Sequence, residues 1–251
     1  MKLYINSERY IDTQKGFDIS IPVKAKDAVR AWYLDNPVFE PVRENGFIGS
    51  VQEGGSVNFR NISFNPHGHG THTECLGHIT EEVYSINQHL DTYFFKSTLI
   101  SITPNAIQQP DGSVDLCITL SQLKAIIQHP TEALVIRTLP NSIHKKHINY
   151  SNTNAPYLST DLIPFFESLG IKHLLIDLPS VDKESDGGVL AFHHAFWGVP
   201  NDLKYDKKIT ELVYIDDKIP DGDYILNLQV AAFENDAAPS RPVLYPIEKG
   251  E

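Results

Sequence analysis

The sequence predicts an α/β domain with a mixed β-sheet core and flanking helices. Three observations carry that prediction. Short apolar runs of strand character recur along the chain, helical periodicities fall between them, and a histidine-dense stretch interrupts the pattern near residue 70. The chain has 251 residues, enough to bury a sizeable core, and no linker rich in Pro, Gly or Ser divides it, so it reads as one domain over residues 1–251.

The elements follow in chain order. "FDISIPV" (17–23) alternates apolar and polar residues as a strand does. "TEEVYSINQHL" (80–90) predicts a helix with Glu81 and Glu82 in its first turn, where acidic side chains suit the helix dipole. "STLISIT" (97–103) is a strand. "LSQLKAIIQHP" places Leu120, Leu123, Ile126 and Ile127 on one helical face and stops at Pro130. "EALVIRTL" (132–139) is again a strand. "STDLIPFFESLG" predicts a helix starting at Ser159 or Thr160, burying Leu162, Phe165, Phe166 and Leu169, and closing on Gly170. "HLLIDLP" (173–179) and "DYILNLQVAAF" (223–233) complete the strands.

Composition excludes several classes. Hydrophobic residues at 41% and charged residues at 21% are ordinary globular values, which excludes a disordered or fibrous chain. The apolar runs are too short to span a bilayer, and the N-terminus lacks the apolar core of a signal peptide, so the expected location is cytoplasmic. Two cysteines, Cys75 and Cys117, form no disulfide framework. A formal charge of -11 argues against nucleic-acid or anionic-membrane surfaces and leaves a small molecule as the expected partner.

The chemistry concentrates in "NPHGHGTHTECLGH", Asn65 to His78, which holds His67, His69, His72, His78 and Glu74. A lone histidine in a glycine-rich loop is ordinarily solvated, but four imidazoles and a carboxylate at converging spacing are costly to assemble unless they bind something. If Gly70 to Glu74 is extended, alternation sends His72 and Glu74 to one face, and His78 approaches from a following turn. Imidazole and carboxylate donors without paired cysteines suit an open catalytic site for Zn²⁺ or Mn²⁺. A second polar stretch, "DLPSVDKESDGGVLAFHHAFW", adds His193 and His194, and Glu211 follows in "KITELVYI". Asp182, Glu184 and Asp186 read as a solvated acidic loop.

Taken together, "HGHGTHTECLGH", "FDISIPV", "LLIDLPSVD", "HHAFW" and "ITELV" resemble, in order, the signature blocks of the metal-dependent cyclase family, which includes bacterial kynurenine formamidase and isatin hydrolase. The resemblance implies a swivelling β/β/α fold, an arylformamidase-like metal-dependent hydrolase, and a homo-oligomer, dimer or tetramer. It implies His72 and Glu74 as metal ligands, His193 and Glu211 as ligands of a second metal, and His78 as general acid/base. Two departures stand out. Glu74 replaces the family's aspartate, and Gly68 stands where the family has its first histidine, flanked by His67 and His69. A turn at Pro66–Gly68 favours His67 as the displaced ligand. The reaction so implied is hydrolysis of a small-molecule amide, lactam or ester by hydroxide generated at the metal, with His78 moving the proton. A metal-dependent cyclase or lyase, a catalytically silent binding protein, and Cys75 as nucleophile are the alternatives.

Overall fold

The computed structural model describes residues 1–250, and a mixed sheet of nine strands organises them. In chain order these strands are β1 (Phe17–Asp18), β2 (His72–Glu74), β3 (Phe94–Ile102), β4 (Ala133–Thr138), β5 (His173–Ile176), β6 (Lys208–Glu211), β7 (Gly222–Asn227), β8 (Ala237–Pro239) and β9 (Val243–Pro246). Across the sheet they run β8-β2-β6-β5-β4-β3-β7-β9-β1. The central strands β3, β4, β5 and β6 are parallel, and every outer pairing is antiparallel.

Parallel neighbours need crossovers, and helices supply them. α2 (Leu120–Ile126) precedes β4, α3 (Ile163–Leu169) precedes β5, and α4 (Ala191–Trp197) precedes β6, while the single turn α1 (Ile86–His89) follows β2. All six residues of β4 are buried, as expected of a parallel strand covered on both faces. Leu123, Phe166, Phe192, Phe196 and Trp197 pack from the helices into the same core as the strand residues.

Local signals explain most boundaries. α2 opens on a capping box between Thr119 and Gln122, and α3 closes on Gly170 in the left-handed conformation. Other expectations need correction. Ile126 is 46% exposed, because the helix ends there and the extended Ile127 turns inward instead. Strand β1 covers only Phe17–Asp18, since the Asp18 carboxylate accepts Ser20 N–H and the chain then makes a single bridge from Ser20 to Val213. In "TEEVYSINQHL" only Ile86–His89 is helical. Ser85 caps it, leaving Glu81 and Glu82 outside the first turn. The last predicted strand ends at Asn227, beyond which only Val230 bridges, to Ser240. Among the described residues, no helix is long and apolar enough to cross a membrane.

Strand β6 begins with a buried lysine. Lys208 is 1% exposed, its Nζ donates to the Tyr205 carbonyl at 2.6 Å, and burial pushes its pKa down to about 8. Below pH 8 the ammonium is charged both folded and unfolded, so the burial penalty is fully present at neutrality. Between pH 8 and the ordinary 10.5 the unfolded chain holds more protons, and stability rises with pH. Lys208→Met is therefore expected to stabilise the protein at pH 7 by on the order of 1–3 kcal/mol, with the gain shrinking above pH 8. Denaturant melts at pH 7 and pH 10 check this; an equal or negative change at pH 7 contradicts it.

Candidate metal centre

The six predicted site residues converge where the parallel part of the sheet meets the antiparallel part. Glu211 ends β6, and β2 lies antiparallel beside it with His72 opposite Glu211. Ligand crevices in open α/β sheets lie outside the carboxyl ends of the parallel strands, which is where Glu211 stands. Alternation along β2 works as expected: His72 and Glu74 face the centre, while Thr73 points away and bonds Thr210 at 2.8 Å.

The residues before β2 explain its placement. Gly70 has φ +96°, and a Cβ there would lie 2.8 Å from the Ile21 carbonyl oxygen, so only glycine fits. The Thr71 hydroxyl accepts Ile21 N–H at 2.7 Å and donates to the Leu212 carbonyl at 2.5 Å, tying three segments at the edge of the site.

The histidines divide into inward and outward groups. His67 Nδ1 lies 2.9 Å from Glu74 Oε2. His69 turns the other way: its Nδ1 accepts Asn65 N–H and its Nε2 donates to the Asp35 carbonyl, so it holds a loop. His78 ends the 3-10 turn Leu76–His78, with Nε2 4.0 Å from Glu74 Oε2. On α4, His193 faces inward, its Nε2 3.0 Å from Glu74 Oε1 and 3.8 Å from Glu211 Oε1. His194 is half-buried and does not line the cavity.

Two groups of donor atoms result, sharing Glu74. One is His67, Glu74 and His78; the other is His72, Glu74 and Glu211; within each, the atoms lie within 4.8 Å of one another. The second group shows most clearly what would fit. His72 Nδ1 sits 3.1 Å from the Gly70 carbonyl, which can only accept, so the ring hydrogen is on Nδ1. In the neutral ring Nε2 is then a bare lone pair, buried without a hydrogen-bond partner among the described residues, 3.4 Å from Glu211 Oε2. A lone pair aimed at carboxylates is unfavourable unless a cation lies between them. The residues therefore fit a divalent metal.

The electrostatics agree. Burial disfavours the charged forms of His67 and His193, yet their hydrogen bonds to Asp236 and Glu74, and to Asp182 and Glu74, outweigh it and raise both to about 10. Burial likewise opposes ionisation of Glu74, but the charges and hydrogen bonds of His78, His193 and His67 hold it well below the usual carboxylate range. Clustered carboxylates demand positive charge here, and a divalent cation supplies it without protons.

Five side chains, Asp182, Glu184, Asp186, Cys75 and Asp236, add to or revise the sequence reading. Asp182 is not in a solvated loop: it is buried, accepts Phe192 and His193 N–H at the start of α4, and holds His193 Nδ1 at 2.6 Å. Glu184 and Asp186, also assigned to that loop, accept backbone N–H groups of Asn152 and Asn154 and of Gly188 and Leu190. Cys75 is fully buried, and burial pushes its thiol up to about 11, which removes it as a nucleophile. Asp236 was not foreseen at all. Its Oδ2 lies 2.7 Å from His67 Nε2 and 3.4 Å from His78 Nδ1, yet it precedes a three-residue strand far along the chain with no motif around it.

Above the donors opens a cavity of about 470 Å³, lined by His67, His78, His193 and Glu211 with Trp32, Leu34, Lys183 and Leu190 among its walls. Trp32 (φ 59°) and Leu190 (φ 46°), like Leu212 (φ 53°) beside Glu211, adopt left-handed backbone. Such strain costs about 1–3 kcal/mol per residue and gathers at functional sites.

Residues 17–183, two thirds of the chain, match the family model described as "Putative cyclase". The chain belongs to the cyclase family. The matched segment holds both donor-bearing turns around β2 and ends just past Asp182, so His193 and Glu211 lie outside it. Curated relatives extend further: the kynurenine formamidase of Bacillus anthracis is 28% identical over 236 residues, spanning 94% of this chain and 99% of its own length. That of Bacillus cytotoxicus is 25% identical, spanning 92% and 97%. Among solved structures, one described as a potential metal-dependent hydrolase with cyclase activity superposes with a TM-score of 0.65 at 16% identity, covering 92% of this chain and 97% of that one. An isatin hydrolase bound to thioisatinate gives 0.60 at 14% identity, covering 93% and 92%. These likenesses establish the swivelling β/β/α fold of the family.

Proposed function

We propose that this cyclase-family chain is a metal-dependent hydrolase of C–N amide bonds in small molecules, of arylformamidase type. The observation that carries the reading is the pair of donor groups sharing the buried Glu74, with His67, His78 and Glu211 of those groups lining the cavity. The kynurenine formamidases that align over nearly their whole length support the substrate class. Zn²⁺ or Mn²⁺ is the metal, held by His67, His72, Glu74, His193 and Glu211, a nitrogen and oxygen set suited to either ion. Bound there, the ion would supply Lewis acidity, lowering the pKa of a water and polarising a carbonyl.

The protein's own groups do the rest. Trp32, Leu34 and Leu190 offer apolar walls to a small ring-bearing substrate, and Lys183 stands at the polar side. His78, half-exposed beside Glu74, accepts the proton of the attacking water and returns it to the departing nitrogen. Water and amide thereby become carboxylic acid and amine, and at neutral pH the acid then ionises, giving its proton to solvent.

Elemental analysis after growth in metal-supplemented medium tests the reading, together with hydrolysis of aryl formamides in ¹⁸O-labelled water. At least one equivalent of metal per chain and label in the acid product are expected. Less than about a tenth of an equivalent, or turnover without label, contradicts it; metal without any turnover would mark a silent binding protein.

The same proposal includes a homo-oligomer, dimer or tetramer. The strands Val38–Pro41 and Arg60–Ser63 form a two-stranded arm, marginal when isolated, and Val38, Val57, Phe59 and Ile62 on and beside it are exposed. Light scattering at micromolar concentration is expected to give a multiple of the chain mass, and a monomer would overturn this. A reducing, cytoplasmic compartment is also proposed, in keeping with the free, buried Cys75 and Cys117; recovery in a secreted fraction would refute it.

A further inference from the structure

Asp236 belongs to neither donor group, yet it touches two histidines of the centre. The pattern of contacts is the same for both rings. His67 turns Nδ1 to Glu74 and Nε2 to Asp236; His78 turns Nε2 to Glu74 and Nδ1 to Asp236. The rings stack, with centroids 4.2 Å apart and planes 27° from parallel, so one carboxylate oxygen reaches the outer nitrogen of each. Asp236 therefore stands behind both imidazoles while Glu74 stands in front.

Its backbone is held as firmly as its targets. Cys75 N–H donates to the Asp236 carbonyl at 3.1 Å, and the next residue, Ala237, pairs with Glu74 across β8 and β2. The carboxylate is thus registered against Glu74 by the sheet itself, rather than by a loop.

We infer that Asp236 is a positioning residue: it keeps the ring hydrogens of His67 and His78 on the nitrogens facing away from Glu74, so that His67 donates to the metal through Nδ1 and His78 works through Nε2. With a divalent cation at Glu74, as the metal-centre reading has it, the rings are neutral and the nitrogens on the Glu74 side must offer lone pairs; the single ring hydrogen is then left on the nitrogen at Asp236, whose ionised carboxylate can only accept it. This matters especially for His67, which takes up its role from one residue before the position where the cyclase signature has its histidine and reaches inward with the nitrogen nearer its backbone. A free ring at that place could turn either nitrogen to the metal; one anchored at Nε2 can offer only Nδ1. Carboxylates behind metal-bound histidines commonly change affinity by 10–100-fold through this orientation.

The inference rests on the metal-centre reading, and the test separates the two. Metal affinity is measured by chelator competition with Zn²⁺ on the wild-type protein and on Asp236→Ala, Asp236→Asn and His69→Ala. Asp236→Ala is expected to bind about 10–100-fold more weakly. Asp236→Asn, whose carbonyl oxygen still accepts the N–H, should recover most of the loss. His69→Ala, which removes only a loop contact, should bind as the wild type does. Long-range ¹H–¹⁵N spectra of the Zn²⁺-loaded wild type should show His67 protonated at Nε2. Affinity of Asp236→Ala within about threefold of wild type, an equal loss in His69→Ala, or His67 protonated at Nδ1 would each overturn the inference while leaving the metal reading intact. Absence of Zn²⁺ binding by the wild type would overturn both. Should Asp236→Ala fail to fold, the wild-type spectra and the near-isosteric Asp236→Asn decide.

Discussion

His72→Ala is expected to lose both its metal and its activity. His72 is fully buried and bound by Nδ1 to the Gly70 carbonyl, and its Nε2 lone pair faces Glu211 with no other partner among the described residues. Removing it leaves Glu74 and Glu211 as a pair of buried carboxylates with one fewer neutral donor, and buried charges without compensation are strongly unfavourable. Metal content should fall from a full equivalent to background, and turnover should fall by at least about 10⁴-fold, to what binding alone provides. Elemental analysis and initial rates on a variant whose thermal melt remains cooperative make the measurement. A folded His72→Ala that keeps its metal would show that the second donor group is structural.

The second large effect separates proton transfer from metal binding at His78. This side chain is 29% exposed at the cavity wall, whereas Glu74 and His72 beneath it are buried. His78→Ala should keep its metal and lose roughly 10²–10⁴ in rate, the usual worth of a positioned acid/base. Because His78 also lies with His67 and Glu74 in one donor group, the opposite result is chemically possible and decisive. If His78→Ala loses metal as completely as His72→Ala, the residue is a ligand, and another group must move the proton. A rate unchanged in His78→Ala would remove it from the chemistry altogether.

Much of this centre was legible in the residues alone because it is built from local geometry. The two-residue period of a strand puts His72 and Glu74 on one face, and the four-residue step to His78 calls for a turn, which is what Leu76–His78 forms. Likewise Pro66 and Gly68 made a turn at His67 the better route inward, and the structure brings His67 to Glu74 while His69 bonds the backbone of a neighbouring loop. The central strands are equally local, being apolar runs bounded by breakers. Helix α4 was not, since the carboxylate that caps it comes from Asp182, ten residues before Phe192 and across a glycine-bearing loop.

What the sequence by itself determined is the chemistry on offer: the donor types, their spacing around β2, the class of fold and the family blocks in order. Only the tertiary structure decided which groups stand behind those donors. Asp182 reads as one more acid in "DKESD" and Asp236 as one more in "FEND", because a side chain's role in holding an imidazole depends on a partner 11 residues away in one case and 169 in the other. Sheet register supplies that second distance. By pairing β8 with β2 it sets Asp236 against His67, a contact that local periodicity cannot encode and that only closure of the long chain between them creates.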